Sequence, residues 1–305
     1  MRSAILFLVF NRPECTRRVF DAIRRARPPR LYVSADAPRA GRTGEVEKSV
    51  ETRRIATAVD WPCELHTLFR DKNLGCKRAV SGGIDWFFSA EQEGIILEDD
   101  CVPNASFFRY CDELLDRYRS DDRVALISGD NFQFGRTYGE SSYYFSRYAH
   151  IWGWATWRRF WIRYDRELSY WPEYRDRRGL SEVEGLSVAE QRHWTEQFDA
   201  VAAGRIDTWD YQLQLGMWYQ RMLSILPQQN LVQNIGFGGD ATHTTVVGKL
   251  ANMSIEPLEF PLEHPTIVTP CTSADRRTSN EMFCPPLSRR VTTRLRRIAE
   301  RLGVR

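Results

Sequence analysis

The stretch that most constrains this chain is Gly94–Asp100, in which three apolar residues run directly into three carboxylates. An unbroken apolar run of this kind is typical of a strand buried on both faces of a parallel sheet. Open α/β sheets bind their ligands at the C-terminal ends of such strands. Because adjacent carboxylates repel, Glu98, Asp99 and Asp100 suggest a hard cation, Mg²⁺ or Mn²⁺, shared with a diphosphate. The alternative is a solvated acidic turn that caps the next helix.

Composition and charge restrict the class of protein. The 305 residues are 42% hydrophobic and 12% aromatic, which is ordinary for a globular protein with a sizeable core. The net charge is +3, but residues 285–305 contain seven Arg and one Glu, so the rest of the chain is mildly acidic. Nucleic-acid binding is therefore not expected. The seven cysteines form no CxxC pair and no zinc spacing, which favours a reducing cytosol.

Alternating strand and helix patterns in the first half predict the α/β class. Strands are predicted at 4–10, 31–34, 63–69, 94–97 and 124–127, and helices at 14–26, 45–59, 76–89 and 104–119. This βαβα order predicts a parallel, doubly wound sheet. The apolar residues 4–10 are too few for a membrane span and lack a cleavage site, so they are interpreted as a core strand.

Several residues are expected on the same rim of the sheet as the acids. Arg12 and Asp36 follow the first and second strands. The chain has no GxGxxG after the first strand and no GxxxxGK[ST], so neither a dinucleotide site nor an ordinary P-loop is indicated. Phosphates would then need a metal or basic side chains. Lys72, Lys77 and Arg78 are candidates, and a solvated helix start is the alternative for each.

The second half concentrates aromatic residues, with eight of the ten tryptophans between 152 and 218. Most are expected in the core, although aromatic faces also stack on sugar rings. Residues 165–187 are polar and are predicted to be a surface excursion. A helix is predicted over 189–203, and Asp207–Tyr211 opens another that continues to about residue 222. Asp210 then lies in a first helical turn, where the helix dipole favours a carboxylate. His243 follows a glycine-rich loop and is a candidate metal ligand or phosphate contact, although a lone histidine is usually structural.

From Ile5 to His243, the order of these motifs resembles that of GT-A glycosyltransferases. It is most similar to the family of the N-acetylglucosaminyltransferase that initiates complex N-glycans, with its O-mannose and bacterial relatives. The acidic turn, followed by Pro103 and Phe107-Phe108, is the strongest part of the resemblance. The later matching stretches are Ser128–Asn131, Trp152–Trp154, Trp209-Asp210 and Phe237–His243.

The resemblance implies a GT-A fold over residues 1–284, a mostly parallel sheet flanked by helices that binds the nucleotide sugar through residues 1–131. In that family the three acids contact the donor sugar, contact the ribose and bind Mn²⁺, which implies those roles for Glu98, Asp99 and Asp100 in that order. The same resemblance implies that Arg12 and Asp36 hold the uracil.

Residues 132–284 form the acceptor-side half that the resemblance implies. Trp152, Trp154 and Trp209 are placed there, and Asp210 matches the catalytic base. His243 matches a residue near the diphosphate. From position in the chain alone, Asp207 or Asp240 remains an alternative base.

The implied function is an inverting hexosyl- or N-acetylhexosaminyltransferase that uses Mn²⁺ or Mg²⁺ and a nucleotide-diphosphate sugar, with UDP favoured. The relatives are Golgi proteins with a membrane anchor and stem, which this chain is not expected to have. The expected acceptor is therefore a bacterial surface glycan or a lipid-linked sugar. A non-catalytic carbohydrate- or nucleotide-binding protein of the same fold is the alternative. A sugar nucleotidylyltransferase would need a glycine-rich basic loop after the first strand, unlike residues 11–14.

The C-terminal residues 285–305 predict a basic amphipathic helix. Its apolar stripe consists of Leu287, Val291, Leu295, Ile298 and Leu302. Such a helix can lie on an anionic membrane surface, and the alternative is a helix docked on the catalytic domain. The predicted location is the cytoplasm, with peripheral contact at the inner membrane.

Overall fold

The first half of the chain folds with the alternation that its sequence predicts. The structure, a computed structural model, describes residues 1–237, 250–251 and 253–285. Every predicted strand and helix of this half is present, with ends within three residues of the prediction. The strands are β1 (Ala4–Val9), β2 (Arg30–Ala35), β3 (Glu64–Phe69), β4 (Glu93–Glu98), β5 (Cys101–Pro103) and β6 (Val124–Ser128). The helices are α1 (Pro13–Ala26), α2 (Glu45–Ala56), α3 (Gly75–Ala90) and α4 (Ala105–Arg117).

The second half adds short strands and further helices. The strands are β7 (Tyr143–Ser146), β8 (Trp154–Trp157), β9 (Leu223–Pro227) and β10 (Val232–Asn234). The helices are α5 (Arg158–Trp161), α6 (Trp171–Asp176), α7 (Val188–Ala202), α8 (Asp210–Tyr219) and α9 (Thr272–Thr278). The helix predicted over 189–203 is confirmed as α7, and the one predicted to open at Asp207–Tyr211 is confirmed as α8, which begins at Asp210.

The central sheet is mostly parallel and flanked by helices, which confirms the α/β class and the mostly parallel sheet that the sequence predicts. Among the described residues its eight strands run in the order β3-β2-β1-β4-β8-β6-β9-β7. The first four are mutually parallel, but β8 lies antiparallel between β4 and β6, and β7 is antiparallel to β9. No helix separates β6 from β7, and a parallel return normally needs a crossover helix. Because β8 pairs with β4, the two predicted halves share one sheet.

Two hydrophobic layers cover the faces of this sheet. In β1, Ile5 and Phe7 face the layer formed with α1, α2 and α4, whereas Leu6 and Leu8 face the layer formed with α3 and α5–α8. The same division holds for β4, where Ile95 faces the first layer and the following residue faces the second. Both strands are therefore buried on two faces, as an uninterrupted apolar run predicts.

The aromatic second half forms most of the layer against α3. Seven of its eight tryptophans are almost fully buried, which confirms that most of them belong to the core. Residues 165–187 are not the surface excursion that their polarity predicts. They contain α6 and a 3₁₀ helix, Gly179–Glu182, which bury Trp171, Tyr174 and Leu180. The few apolar side chains of this segment are widely spaced in the sequence, so its composition is polar although they anchor it to the core.

No helix in the described part of the chain is long and apolar enough to cross a membrane. The tail that carries the predicted amphipathic helix lies, from residue 286 onward, outside the described residues.

Candidate active site

The acidic turn lies at the C-terminal edge of β4, where the residues after β1 meet it. The two strands pair in parallel as far as Glu98. The backbone N–H of Phe10 donates to Asp99 Oδ2 at 3.0 Å. The guanidinium of Arg12 donates to Asp100 Oδ2 at 2.5 Å and to Asp99 Oδ1 at 3.4 Å. The structure therefore brings Arg12 together with the three acids.

The three acids have different surroundings. Asp99 is buried and faces the residues that follow β1, where it accepts hydrogen bonds from Arg12 and from the backbone N–H of Phe10. The side chain of Asp100 is 14% exposed and has the shorter contact with Arg12. Glu98 has no hydrogen-bond partner among the described residues. Glu98 and Asp100 are therefore the acids best placed to meet a ligand.

Burial and mutual repulsion alter the charge of this cluster. Burial, followed by repulsion from Asp100 and Asp99, raises the pKa of Glu98 to about 8, although Arg12 opposes the shift. Burial raises the pKa of Asp99 to about 7, against the lowering effect of Arg12. Burial lowers the pKa of Arg12, but Asp99 and Asp100 raise it, and the net direction is upward. One guanidinium thus does not offset three ionised carboxylates, so Glu98 keeps its proton near neutral pH, and a bound cation would favour the ionised forms.

This arrangement fits a hard cation whose other ligands come from outside the protein. No group of three or more His, Cys, Asp or Glu side chains is arranged to hold a metal ion within the described residues. Burial raises the pKa of the neighbouring Cys101 thiol well above its usual value. The partly exposed carboxylate of Asp100 remains. An oxygen ligand with diphosphate and water completing the shell is the coordination that Mg²⁺ and Mn²⁺ accept.

A loop from the second half holds Asp100 in place. Strand β10 pairs with β5, directly after the acidic turn. The backbone N–H of Ile235 donates to the carbonyl of Asp100 at 2.8 Å. A Cβ on Gly236 would overlap the Asp100 carboxylate, so this close approach needs glycine.

Asp36 lies at the end of β2, as predicted, but its oxygens already have partners. It accepts hydrogen bonds from the backbone N–H groups of Ala37, Leu74 and Gly75 at 2.9 to 3.2 Å. Burial raises its pKa, and these amides lower it. A uracil N3–H could reach Asp36 only by sharing an oxygen with the start of α3.

Lys77 and Arg78 are paired with a different segment. Lys77 Nζ lies 2.6 Å from Glu167 Oε2, and Arg78 lies 3.8 Å from the same carboxylate. The phosphate contact predicted for these two residues would therefore require the Glu167 pairs to break. Sequence reasoning missed this partner because residues 165–187 were interpreted as a surface excursion.

Asp210 is the first residue of α8, and one of its oxygens is available. Its Oδ1 accepts hydrogen bonds from the Thr208 hydroxyl and from the backbone N–H of Tyr211. Its Oδ2 has no hydrogen-bond partner in the described part of the chain. Burial, followed by repulsion from the carboxylates of Glu98 and Asp210, raises the pKa of the Cys76 thiol to about 12. Both acids therefore lie near this one side chain.

The three predicted acceptor-side tryptophans have different exposure. Trp152 is half-buried, donates its backbone N–H to Asp130 at 3.1 Å and packs against Phe237 with ring centroids 5.8 Å apart. Trp154 and Trp209 are 0% and 3% exposed and stack on each other at 5.7 Å. Trp154 and Trp209 therefore belong to the core, and Trp152 is the tryptophan of the three that remains accessible.

Sequence reasoning missed the main contact of Asp207 and cannot be compared with the structure at two other residues. Asp207 Oδ2 accepts the backbone N–H of Cys76 at 3.1 Å, although the sequence suggests only that Asp207 is an alternative base. The residue before α3 is Leu74, whose side chain cannot cap the helix. The amides of the first turn therefore need an acceptor from elsewhere in the chain, which is the one hint of this contact in the sequence. His243 and Asp240 lie outside the described residues.

No protein-family model and no curated protein matches this chain. Solved structures give only weak likenesses. Apo UDP-glucose pyrophosphorylase has a TM-score of 0.39 and 10% identity, covering 75% of this chain and 90% of its own. HddC from Yersinia pseudotuberculosis has a TM-score of 0.33 and 7% identity, covering 55% of this chain and 83% of its own. These low scores do not assign a function, which is argued below from the site alone.

Proposed function

We propose that this chain is an inverting, metal-dependent glycosyltransferase of the GT-A type. It moves a hexosyl or N-acetylhexosaminyl group from a nucleotide-diphosphate sugar, with UDP favoured, to a hydroxyl of a bacterial glycan or lipid-linked acceptor. The observation that carries the proposal is the placement of two acidic groups around Cys76. One is Glu98, in the acidic turn at the end of β4, and the other is Asp210 at the start of α8.

In this mechanism Asp210 is the base. The acceptor hydroxyl attacks the anomeric carbon, the bond from that carbon to the diphosphate oxygen breaks, and its electron pair leaves with the diphosphate. The hydroxyl proton passes to Oδ2 of Asp210, the oxygen without a partner in the described residues. Attack opposite the leaving group inverts the anomeric configuration. A positioned base typically contributes about 10²–10⁴-fold in rate.

The donor side of the mechanism rests on the acidic turn and Arg12. Asp100 is the proposed carboxylate ligand of Mn²⁺ or Mg²⁺, and His243 is a second candidate ligand. A cation bound there would neutralise charge on the leaving diphosphate. Glu98 is proposed to contact the donor sugar and Asp99 the ribose.

The remaining proposed contacts concern the uracil and the acceptor. Arg12 and Asp36 are proposed to contact the uracil end of the donor. The half-buried ring of Trp152, packed against Phe237, is the proposed platform for an acceptor sugar.

A donor screen tests this proposal. The purified chain is mixed with UDP- and GDP-sugars and Mn²⁺, and slow donor hydrolysis and the change in Tm are measured. One donor should be hydrolysed and should raise the Tm in a metal-dependent manner. Asp100→Ala should abolish turnover while the far-UV circular dichroism stays unchanged. Asp122→Ala is the matched control. Asp122 precedes the N-terminal end of β6, opposite to the strand ends that carry the acidic turn, and its side chain is 79% exposed.

Each outcome separates the competing functions. Full activity in EDTA or in Asp100→Ala would contradict the metal role. Stabilisation by a nucleotide sugar without turnover would favour a non-catalytic binding protein. Release of a nucleoside triphosphate from pyrophosphate and a nucleotide sugar would favour a nucleotidylyltransferase.

The proposal includes a location in the cytoplasm, with peripheral contact at the inner membrane through residues 285–305. Flotation with anionic liposomes, with and without those residues, tests it. Equal binding by both forms would remove the membrane contact.

A further inference from the structure

The N-terminus of α3 is closed by a carboxylate that lies 130 residues further along the chain. Asp207 accepts the backbone N–H of Cys76 at 3.1 Å and that of Lys77 at 3.3 Å, one with each oxygen. These amides have no partner inside the helix, and Leu74 offers no capping side chain. Asp207 therefore joins the second half of the chain to the first helical turn of α3.

The geometry of Gly75 fits this contact. Its φ of +78° lies in the left-handed region, which side-chain-bearing residues rarely adopt. A Cβ at this position would lie 2.8 Å from Oδ2 of Asp207, closer than real Cβ contacts. Glycine at position 75 therefore allows both the left-handed backbone and the close approach of the Asp207 carboxylate.

The segment before Asp207 closes the end of α7 with backbone hydrogen bonds from residues 203–205, and Ile206 packs half-buried against the layer that contains α3. Residues 203–205 are exposed, and a Cβ added at Gly204 would meet nothing within 4 Å. After Asp207 the chain is anchored again. Trp209 stacks on Trp154 in β8, and its carbonyl accepts the Tyr164 hydroxyl at 3.0 Å. The short stretch that ends at Asp210 is therefore fixed at one end by Asp207 and at the other by the Trp209 stack.

We infer that Asp207 is a positioning residue: its contact with the N-terminus of α3 sets the place of Asp210 relative to the acidic turn of β4. This inference rests on the proposed function, because it assigns Asp207 a role in placing the proposed base. It leaves Asp207 without direct contact with the substrate. The amides that Asp207 binds belong to Cys76 and Lys77, and Cys76 is the residue around which Glu98 and Asp210 meet. Loss of the contact would let Asp210 drift while the core remains folded.

The experiment compares three variants of the full chain. Asp207→Ala removes the cap, Asp207→Asn restores an acceptor oxygen of the same reach, and Ser187→Ala removes a cap from another helix. Ser187 accepts the backbone N–H of Glu190 at the start of α7 and lies outside the proposed site. Both alanine substitutions remove an acceptor from the first turn of a helix, so the two variants are matched in kind.

Three measurements are made on each variant: kcat, the donor KM, and the alkylation rate of Cys76 mapped by mass spectrometry. Asp207→Ala should lower kcat by about tenfold or more with the donor KM within about threefold, because a misplaced base affects the chemical step. Asp207→Asn, whose one acceptor oxygen can serve one of the two amides, should recover part of kcat, and Ser187→Ala should keep wild-type kcat. Cys76 should be alkylated faster in Asp207→Ala, because the first turn of α3 loses its cap and the thiol loses a carboxylate that raises its pKa.

The outcomes separate this inference from the proposed function. Unchanged kcat in Asp207→Ala, or an equal loss in Ser187→Ala, would overturn the positioning role while leaving glycosyl transfer intact. A wild-type chain that turns over no nucleotide sugar, but shows faster Cys76 alkylation in Asp207→Ala, would overturn the proposed function and support the contact at α3. Unchanged alkylation would count against the contact itself.

Discussion

The guanidinium of Arg12 lies 2.5 Å from the carboxylate of Asp100, so the proposed metal ligand already has a cationic partner within the chain. A divalent cation at Asp100 has to compete with this contact, and a diphosphate that brings its own oxygens makes the exchange easier. The wild type should therefore bind Mn²⁺ weakly alone and more tightly with UDP.

Arg12→Gln tests this competition. The variant leaves Asp99 and Asp100 without their compensating charge, so its Tm should fall in EDTA. Added Mn²⁺ should then raise the Tm more in the variant than in the wild type, because no guanidinium competes. Thermal scans with EDTA, Mn²⁺ and Mn²⁺ plus UDP measure this. An equal Mn²⁺ effect in both proteins would place the cation away from Asp100.

Gly236→Ala should impair the metal site without unfolding the protein. A Cβ at 236 would overlap the Asp100 carboxylate, so the loop or that carboxylate must move. We expect the affinity for Mn²⁺ in the presence of UDP to fall by about tenfold, roughly 1.4 kcal/mol. Gly216→Ala is the control, since a Cβ there makes only an ordinary 3.6 Å contact with Tyr170. Calorimetry showing equal affinities in both variants would contradict the close packing at Asp100.

Asp36 is predicted both to hold the start of α3 and to accept a hydrogen bond from uracil N3, and UDP methylated at N3 separates these two roles. Asp36→Ala should lower the Tm, because the amides at the start of α3 lose their acceptor. It should also raise the donor Kd by about tenfold, since an unpaired buried group costs about 1–3 kcal/mol. UDP methylated at uracil N3 cannot donate there. If Asp36 accepts that hydrogen, methylation weakens binding to the wild type but not to Asp36→Ala. Equal discrimination by both would limit Asp36 to holding α3.

Asp275 predicts a pH dependence of stability that is separate from the acidic turn. It is fully buried and accepts hydrogen bonds from the Ser146 hydroxyl at 2.5 Å and the backbone N–H of Arg147 at 3.2 Å. Burial raises its pKa to about 6, although these contacts lower it. The folded state therefore holds a proton that the unfolded state has released, and the free energy of unfolding falls as the pH rises from about 4 to 6.

The size of this effect is roughly 3 kcal/mol, at about 1.4 kcal/mol per pKa unit. Asp275→Asn cannot titrate, so its free energy of unfolding should change less than that of the wild type between pH 4 and pH 7. Urea titrations at the two pH values give the difference. Identical changes in both proteins would show that Asp275 is ionised throughout.

The sequence predicts the first half of the fold better than the second for a physical reason. Runs such as Ile95–Leu97 are buried on both faces, so their hydrophobicity alone identifies a strand. Strand β8 consists of two tryptophans around Ala155-Thr156, and nothing local distinguishes such a strand from a binding surface. Its identity comes from pairing with β4 and β6, which is a tertiary property.

The site shows the same division. The meeting of Arg12 with the acids follows from strand order, because both come after neighbouring parallel strands. The Lys77–Glu167 and Asp207–Cys76 contacts join residues 90 and 131 positions apart, and no local pattern predicts them. Position in the sequence also cannot tell which of Asp207 and Asp210 is the base and which is the positioning residue. In the structure, each oxygen of Asp207 accepts a backbone N–H, whereas only Oδ1 of Asp210 does.

Asp210→Asn is the decisive test of the proposed base. Asp210 Oδ1 is held by Thr208 and by the Tyr211 amide, and Oδ2 has no partner in the described residues, so one oxygen is oriented while the other can take a proton. Asparagine preserves the shape and the start of α8 but removes the basicity. Binding of donor and Mn²⁺ should stay near wild type, and kcat should fall by at least about a hundredfold.

The control for this variant is Asp199→Asn, which changes an acid on α7 that pairs with Arg175 away from the acidic turn. Its kcat should match the wild type. Near-normal turnover in Asp210→Asn would move the base to another carboxylate, with Asp240 next to be tested because Asp207 has both oxygens engaged at α3. The anomeric configuration of the product, read by NMR, tests the mechanism independently. Retention would exclude a single displacement with Asp210 as base, because direct attack opposite the diphosphate can only invert.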